Sequence, residues 1–163
     1  MSTLYVDTIT EKTSGNGVQI ADLVPAAGSV IQVVQGQYSS TVTTSSTSYI
    51  ATGLTASITP TSTSSKILVL VSHPSTDKRI GNTYLGLRLN RNGSLITAIS
   101  NQDMYNGQVN VTSSNISYTY LDSPSSASAL TYSTVFNSGA GNAQVSINWN
   151  GGPSTLTLME IAQ

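Results

Sequence analysis

Residues 85–100 read LGLRLNRNGSLITAIS, two runs of alternating apolar and polar residues that meet at Asn92-Gly93. Asn-Gly between such runs is the strongest short-range signal for a β-hairpin, because both central positions of a type I′ turn need positive φ. A two-residue loop sets Leu89 opposite Ile96 and Leu87 opposite Ala98, so that one side of the ribbon is apolar. The same period of two continues outward in both directions, and no segment holds a 3.6-residue period over three turns. Candidate strands are Leu4–Thr10, Val18–Ala21, Ser29–Gly36, Ser48–Thr52, Ala56–Thr59, Lys66–Ser72, Tyr84–Asn90, Leu95–Ser100, Asn115–Leu121, Leu130–Phe136, Ala143–Asn150 and Ser154–Ile161. Clusters of Gly, Pro, Asn and Ser separate them, as turn chemistry requires. Many short strands without a blade-length repeat predict an all-β chain, an antiparallel β-sandwich of jelly-roll type.

The first two candidate strands stand apart from the rest. They are short, they are split by Ser14-Gly15-Asn16-Gly17, and Pro25-Ala26-Ala27-Gly28 follows them. This pattern divides the chain into an extended arm, residues 1–27, and a head, residues 28–163. Each run is too short to bury a face by itself, and the apolar residues of the arm, Leu4, Val6, Ile9, Val18 and Ile20, are the ones expected to anchor it.

Composition narrows the function. Charged residues are 8% of the 163, with a formal net charge of -1, against about a quarter charged in ordinary soluble proteins. The 27 Ser and 22 Thr predict a neutral, hydroxyl-rich surface instead. Lys and Arg are too few and too scattered to form a phosphate-binding stripe, which argues against nucleic acid. Without cysteine there is no disulfide and no thiolate metal site, and a single histidine leaves no zinc ligand set. No apolar run approaches the ~18 residues of a membrane helix. The opening MSTLYVDTIT lacks the basic and apolar regions of a signal peptide, so synthesis in the cytoplasm is expected.

The polar groups do not spell an active site. His73, Ser75 and Asp77 lie close together in Ser72-His73-Pro74-Ser75-Thr76-Asp77-Lys78. A catalytic triad is assembled in space, however, and this stretch reads as a Pro-containing loop after a strand. The seven carboxylates are spread singly with no calcium-loop spacing; a glycosidase pair would have to come from Asp103 and Asp122 brought together by folding. No cofactor motif occurs. The reading is non-enzymatic, with no catalytic residue, cofactor or metal. A different kind of site is Asp103-Met104-Tyr105-Asn106-Gly107, where an aromatic stands among amide and carboxylate groups on a predicted loop. Asp103, Tyr105 and Asn106 are the candidate contacts to a glycan, set against a loop tyrosine that only covers the sheet edge.

One strand breaks the alternation. Ile67-Leu68-Val69-Leu70-Val71 is apolar on both faces, where an antiparallel sheet with one wet face should alternate. Either residues 101–114 fold over it within the chain, or its outer face meets another subunit. The second reading assigns Ile67, Leu68, Val69, Leu70 and Val71 to the interface of a homotrimer.

Three stretches together resemble tailed-phage virion proteins, the tail fibres and tail-associated structural proteins of phages of aquatic bacteria. The first is Val6-Asp7-Thr8-Ile9 followed by Thr13-Ser14-Gly15 and Gly17-Val18. The second is Asn115-Ile116-Ser117 leading to Leu121-Asp122-Ser123-Pro124 and Ser128-Ala129-Leu130-Thr131-Tyr132. The third is Ser154-Thr155-Leu156-Thr157-Leu158-Met159-Glu160-Ile161-Ala162. Residues 73–113 match nothing in that pattern, and no catalytic residue carries over. The resemblance implies a virion component, trimeric, with a receptor-facing or structural role that could bring its head to a host-surface glycan, and an arm whose short strands are completed by sister subunits or by another phage virion protein. Two alternatives use the same features: a capsid decoration protein and a lectin-like glycan-binding module.

Overall fold

A computed structural model describes residues 25–107, 111–141 and 143–163; the arm residues Leu4, Val6, Ile9, Val18 and Ile20 lie outside them. Ten strands follow in chain order: β1 Val30–Tyr38, β2 Val42–Thr44, β3 Ile50–Ile58, β4 Lys66–Lys78, β5 Thr83–Arg91, β6 Ser94–Asn106, β7 Thr112–Asp122, β8 Leu130–Ser138, β9 Val145–Ile147 and β10 Ser154–Ile161. Every pairing is antiparallel.

The strands form two sheets. In the front sheet β10 lies between β1 and β4, and β7 pairs with the other edge of β4. The short β9 continues the β10 edge of β4, and β2 pairs with β9. The back sheet runs β3-β8-β5-β6. Taking β1 with β2, and β9 with β10, as the halves of two interrupted strands, this is the eight-strand order of a jelly roll. The sandwich has a foot, where Lys66 pairs with Ile161, and a crown, where Lys78 pairs with Val145 and Thr112.

Period-two patterning turns into layers as expected. On β3 every second residue from Thr52 to Ile58 is buried, and on β10 Ser154, Leu156, Leu158 and Glu160 are. The interior holds two apolar clusters. The lower one includes Ile67, Val69, Leu156, Leu158, Leu54 and Tyr132; the upper includes Leu85, Leu87, Phe136, Val145 and Ile147. The seam between β1 and β3 is tight. A Cβ on Gly36 would lie 1.9 Å from the Thr55 carbonyl oxygen, so only glycine lets the two sheets touch there.

The hairpin forms with the expected turn and a different register. Asn92 and Gly93 have φ of 49° and 80°, the type I′ signature, and Arg91 pairs with Ser94. Leu89 then faces Thr97 rather than Ile96, and Leu87 faces Ser100 rather than Ala98, because register shifts interrupt the ladder at these steps. Each inserts an extra residue on β6. Ile96 and Ile99, three apart, would occupy opposite faces of a regular strand; with the bulges both pack against the core.

Other boundaries move as well, that of β4 because polar residues point inward. β4 runs on to Lys78, beyond the predicted end at Ser72, with His73, Thr76 and Lys78 buried. The two segments predicted at 48–52 and 56–59 are one strand, β3, bent at Gly53 with φ of 89°. Only Val145–Ile147 of the predicted strand Ala143–Asn150 is extended, and Val42–Thr44 emerges from a Ser/Thr run.

Candidate functional site

His73 is not on a loop. It stands on β4 in a buried polar band that crosses the sandwich between the two apolar clusters. Its Nδ1 is 2.7 Å from Ser154 Oγ, and its Nε2 is 3.2 Å from Thr134 Oγ1. Ser154 donates to Asn148 Oδ1 at 2.5 Å, and Thr134 Oγ1 lies 2.6 Å from Thr52 Oγ1. All five side chains are fully buried. Since the Ser154 hydroxyl hydrogen goes to Asn148, Ser154 accepts from His73, which fixes a neutral Nδ1–H imidazole. Burial lowers the His73 pKa to about 4. A nucleophilic serine must give its proton to the imidazole; here the direction is reversed and water is excluded. The band is a structural network.

Ser75 and Asp77 do not join it. Asp77 pairs in register with Ser146, whose hydroxyl bonds Thr43 on the exposed side of β2, so it faces away from His73. Arg79 Nε covers it at 3.0 Å and stacks its guanidinium 3.6 Å over Trp149. Asp103 and Asp122 are equally far from cooperating. Asp103 accepts from Ser114 on β7, and Ser114 lies eight residues from Asp122 along that strand, roughly 26 Å at ~3.3 Å per residue. A glycosidase pair needs ~5–10 Å.

The remaining buried carboxylates tie elements together. Asp122 accepts from Arg91 Nη1 at 2.5 Å and from Tyr132 OH at 2.6 Å, joining β7 of the front sheet to β5 and β8 of the back. Glu160 accepts from Gln32 Nε2, the Thr61 amide and hydroxyl, and Ser65 Oγ at 2.6–2.7 Å. Burial raises its pKa, but these bonds outweigh burial and hold it below the usual carboxylate value. The 59–65 loop is thereby fastened to β10.

The candidate glycan contacts lie at the crown end of β6, on a strand rather than a loop. Tyr105 is 57% exposed. Asn106 is engaged internally, accepting from Lys78 Nζ at 2.6 Å and donating to Thr112. Asp103 is half-buried, its pKa raised by burial. Tyr105 alone of the three projects freely.

The outer face of the front sheet is more distinctive. Ile67, Val69 and Val71, expected at a subunit interface, are core residues; only Leu68 and Leu70 of that stretch point outward. Register sets them among neighbours that periodicity alone left unremarked. Val33 pairs with Met159, Met159 with Leu68, and Leu68 with Leu121, a continuous apolar row across four strands. Toward the foot Val30 pairs with Ile161. Toward the crown the next row runs Gln35, Thr157, Leu70 and Thr119, and the one after it Gln37, Thr155, Ser72 and Ser117. Val30, Val33 and Leu121 are 52%, 56% and 50% exposed. The segment 101–106 belongs to the back sheet, so it does not cover this face. A signal for the row was present: Val33-Val34, Tyr120-Leu121 and Leu158-Met159 are adjacent apolar pairs within alternating strands.

Comparison with known proteins finds no family model that matches the chain, and no curated protein that matches it.

Proposed function

We propose that the chain is a non-enzymatic structural protein of a tailed-phage virion, a trimeric tail fibre or tail-associated appendage anchored by its arm. The observation that supports this most is positional. Gly28 N donates to the Ala162 carbonyl and Ala162 N to the Ser29 carbonyl, both at 2.9 Å, so the arm joins the head at the foot of the front sheet. The apolar half of that sheet's outer face begins there, with Val30 and Ile161. A cleft of about 160 Å³ bounded by Pro25, Ile31, Thr61 and Ala162 lies at the same end. An attachment segment and an uncovered apolar face at one end, on a head whose polar clusters are spent in internal bonds, describe an assembly part.

Deleting residues 1–27 is expected to leave a folded head that no longer enters particles. Incorporation of the truncated protein sinks the anchoring role, and absence of the full-length protein from purified particles sinks the virion reading. Labelled particles in an electron-microscopy map separate a tail position from capsid decoration. A glycan-binding reading is favoured by one feature, the exposed Tyr105 at the crown, opposite the foot. Binding on a glycan array that Tyr105→Ala abolishes would establish it.

A further inference from the structure

At the crown, β4 ends in a lysine enclosed by the fold. Lys78 is fully buried, and among the described residues the ion pairs are Arg79–Asp77 and Arg91–Asp122, neither of which includes it. Its Nζ donates instead to two neutral oxygens, the Ile80 carbonyl at 3.3 Å and Asn106 Oδ1 at 2.6 Å. Val145 lies in register beside Lys78, and both Val145 and Met104 belong to the upper apolar cluster. Enclosing a lysine there without a carboxylate on it is costly, so added stability is a poor account of its place. Lys78 and Asn106 also come from different sheets, β4 and β6.

The Asn106 amide is held toward the amine. Its Nδ2 donates to Thr112 Oγ1 at 3.1 Å, and its backbone carbonyl accepts from the Asn82 amide at 2.9 Å. A C=O bond adds about 1.2 Å to the 2.6 Å contact. Asn106 Cγ therefore lies within about 3.8 Å of Nζ, close to the ~3–3.5 Å of a near-attack pair. A carboxyl stands nearby on the same strand. Asp103 accepts from Ser114 Oγ, and Ser114 and Thr112 are alternate residues on the inner side of β7, so the Asp103 and Asn106 side chains meet β7 roughly 7 Å apart. Asp103 Oδ2 is buried with no hydrogen-bond partner. Burial raises the Asp103 pKa, which suits a group that takes up a proton and returns it.

From this juxtaposition we infer that Lys78 and Asn106 react with each other to form an isopeptide bond that staples the two sheets at the crown. An Nζ proton passes to Asp103, and the Nζ lone pair adds to Asn106 Cγ. The tetrahedral adduct collapses with cleavage of the Cγ–Nδ2 bond. The departing nitrogen takes up two protons that began on Nζ, the first returned by Asp103, and leaves as ammonium. A lysine ammonium and a carboxamide thus become a secondary amide and an ammonium ion, without oxidant, reductant or cofactor. In a chain that lacks cysteine, the link constrains the unfolded state as a disulfide does.

The intact mass of the purified full chain is expected to be short by one ammonia, about 17 Da. Asn106-Gly107 can also lose ammonia by closing a succinimide on its own backbone, so the position of the link decides. With six Lys and Arg in the chain, trypsin that cannot cut at a bonded Lys78 releases residues 67–79 joined to residues 92–163. That branched peptide is expected from the wild type and from neither Lys78→Arg nor Asn106→Ala. Asp103→Asn, folded by circular dichroism, is expected to retain both partners unlinked. A wild-type chain of full mass overturns the inference, and so does a reduced mass accompanied by a free 67–78 peptide, the mark of a succinimide. An Asp103→Asn chain that links as completely as the wild type overturns the role of Asp103 and leaves the bond standing. Should the variants unfold, the wild-type branched peptide still decides whether the bond exists.

Discussion

The two sheets present opposite outsides. On the back sheet several outward side chains bond one another or the backbone: Ser57 Oγ to Thr131 Oγ1 at 2.8 Å, Thr55 Oγ1 to the Tyr132 carbonyl at 3.0 Å, and Asn137 Nδ2 to the Thr47 carbonyl at 2.8 Å, while on its edge strand β6 Leu95 and Tyr105 stand exposed. Arg88 stacks 3.8 Å from the Tyr49 ring on the same side. The front sheet, on the half nearest the foot, offers Val30, Val33, Leu68 and Leu121 to the outside instead. A chain with so few charges stays compatible with water by laying hydroxyls over its sheets, since cross-strand Thr and Ser pairs satisfy their own polar groups. Where that covering stops, apolar side chains face outward.

The sharpest way to break this comparison is to charge adjacent residues of β4. Val69 is fully buried in the lower cluster and Leu68 faces out. Val69→Asp would bury an unpaired carboxylate and is expected to cost ~4 kcal/mol or more, measured as collapse of the urea midpoint. Leu68→Asp should leave the fold of the single chain standing. If both variants unfold alike, the outer face belongs to the core in some larger unit and the contrast between the sheets is false.

The second test uses the interior band, where the front sheet's His73 meets hydroxyls of the back sheet. Folded His73 binds its proton only below about 4, whereas in the unfolded chain it does so near ~6.5. Between these values the unfolded state holds more protons, so stability is complete above the unfolded pKa and falls as pH drops through the window. The full loss is about 3 kcal/mol by linkage. Urea midpoints at pH 7, 5.5 and 4 follow it, and His73→Gln should flatten the curve within that range. An unchanged slope in His73→Gln would mean that other groups carry the acid sensitivity.

Much of this architecture was readable from the chain, and the failures have a common cause. Alternation announced an all-β sandwich, and Asn92-Gly93 announced its clearest turn, because both signals are local. The bulges of β6 were hidden, since nothing in Leu95–Asn106 states which residue a ladder will skip. The end of β4 was misjudged because His73, Thr76 and Lys78 look like loop residues until their partners are known. Those partners lie far away: Ser154 is 81 positions from His73 and Thr134 is 61. The doubly apolar Ile67–Val71 announced an outward apolar set but overcounted it, for periodicity cannot say which of two apolar sets is already covered. Only register joined Val33, Met159, Leu68 and Leu121 into one row.

At the seam between the sheets, Gly36→Ala is expected to destabilise by roughly 2 kcal/mol, because the new methyl enters the space of the Thr55 carbonyl and forces β1 from β3. The shift should appear in chemical unfolding with little change in association at high protein concentration, since Gly36 lies on the inner side of β1. An unchanged midpoint would mean that the seam opens freely and that the sandwich is not closed on this side.

The smallest effect is expected on the back sheet's exterior. Arg88 lies outward on β5, paired with Val135 and Ala98, and its guanidinium rests on Tyr49. Arg88→Ala removes that stacking and is expected to cost about 0.5–1 kcal/mol, the range for a cation–π contact at an accessible site. Association should be untouched, because Arg88 lies on the sheet opposite the apolar row. The variant therefore serves as the counterpart of Leu68→Asp: one outward substitution on each sheet, read in the same light-scattering and unfolding experiments. If Arg88→Ala dissociates the protein while Leu68→Asp does not, the contact lies on the back sheet, and the apolar row of the front sheet awaits a different partner.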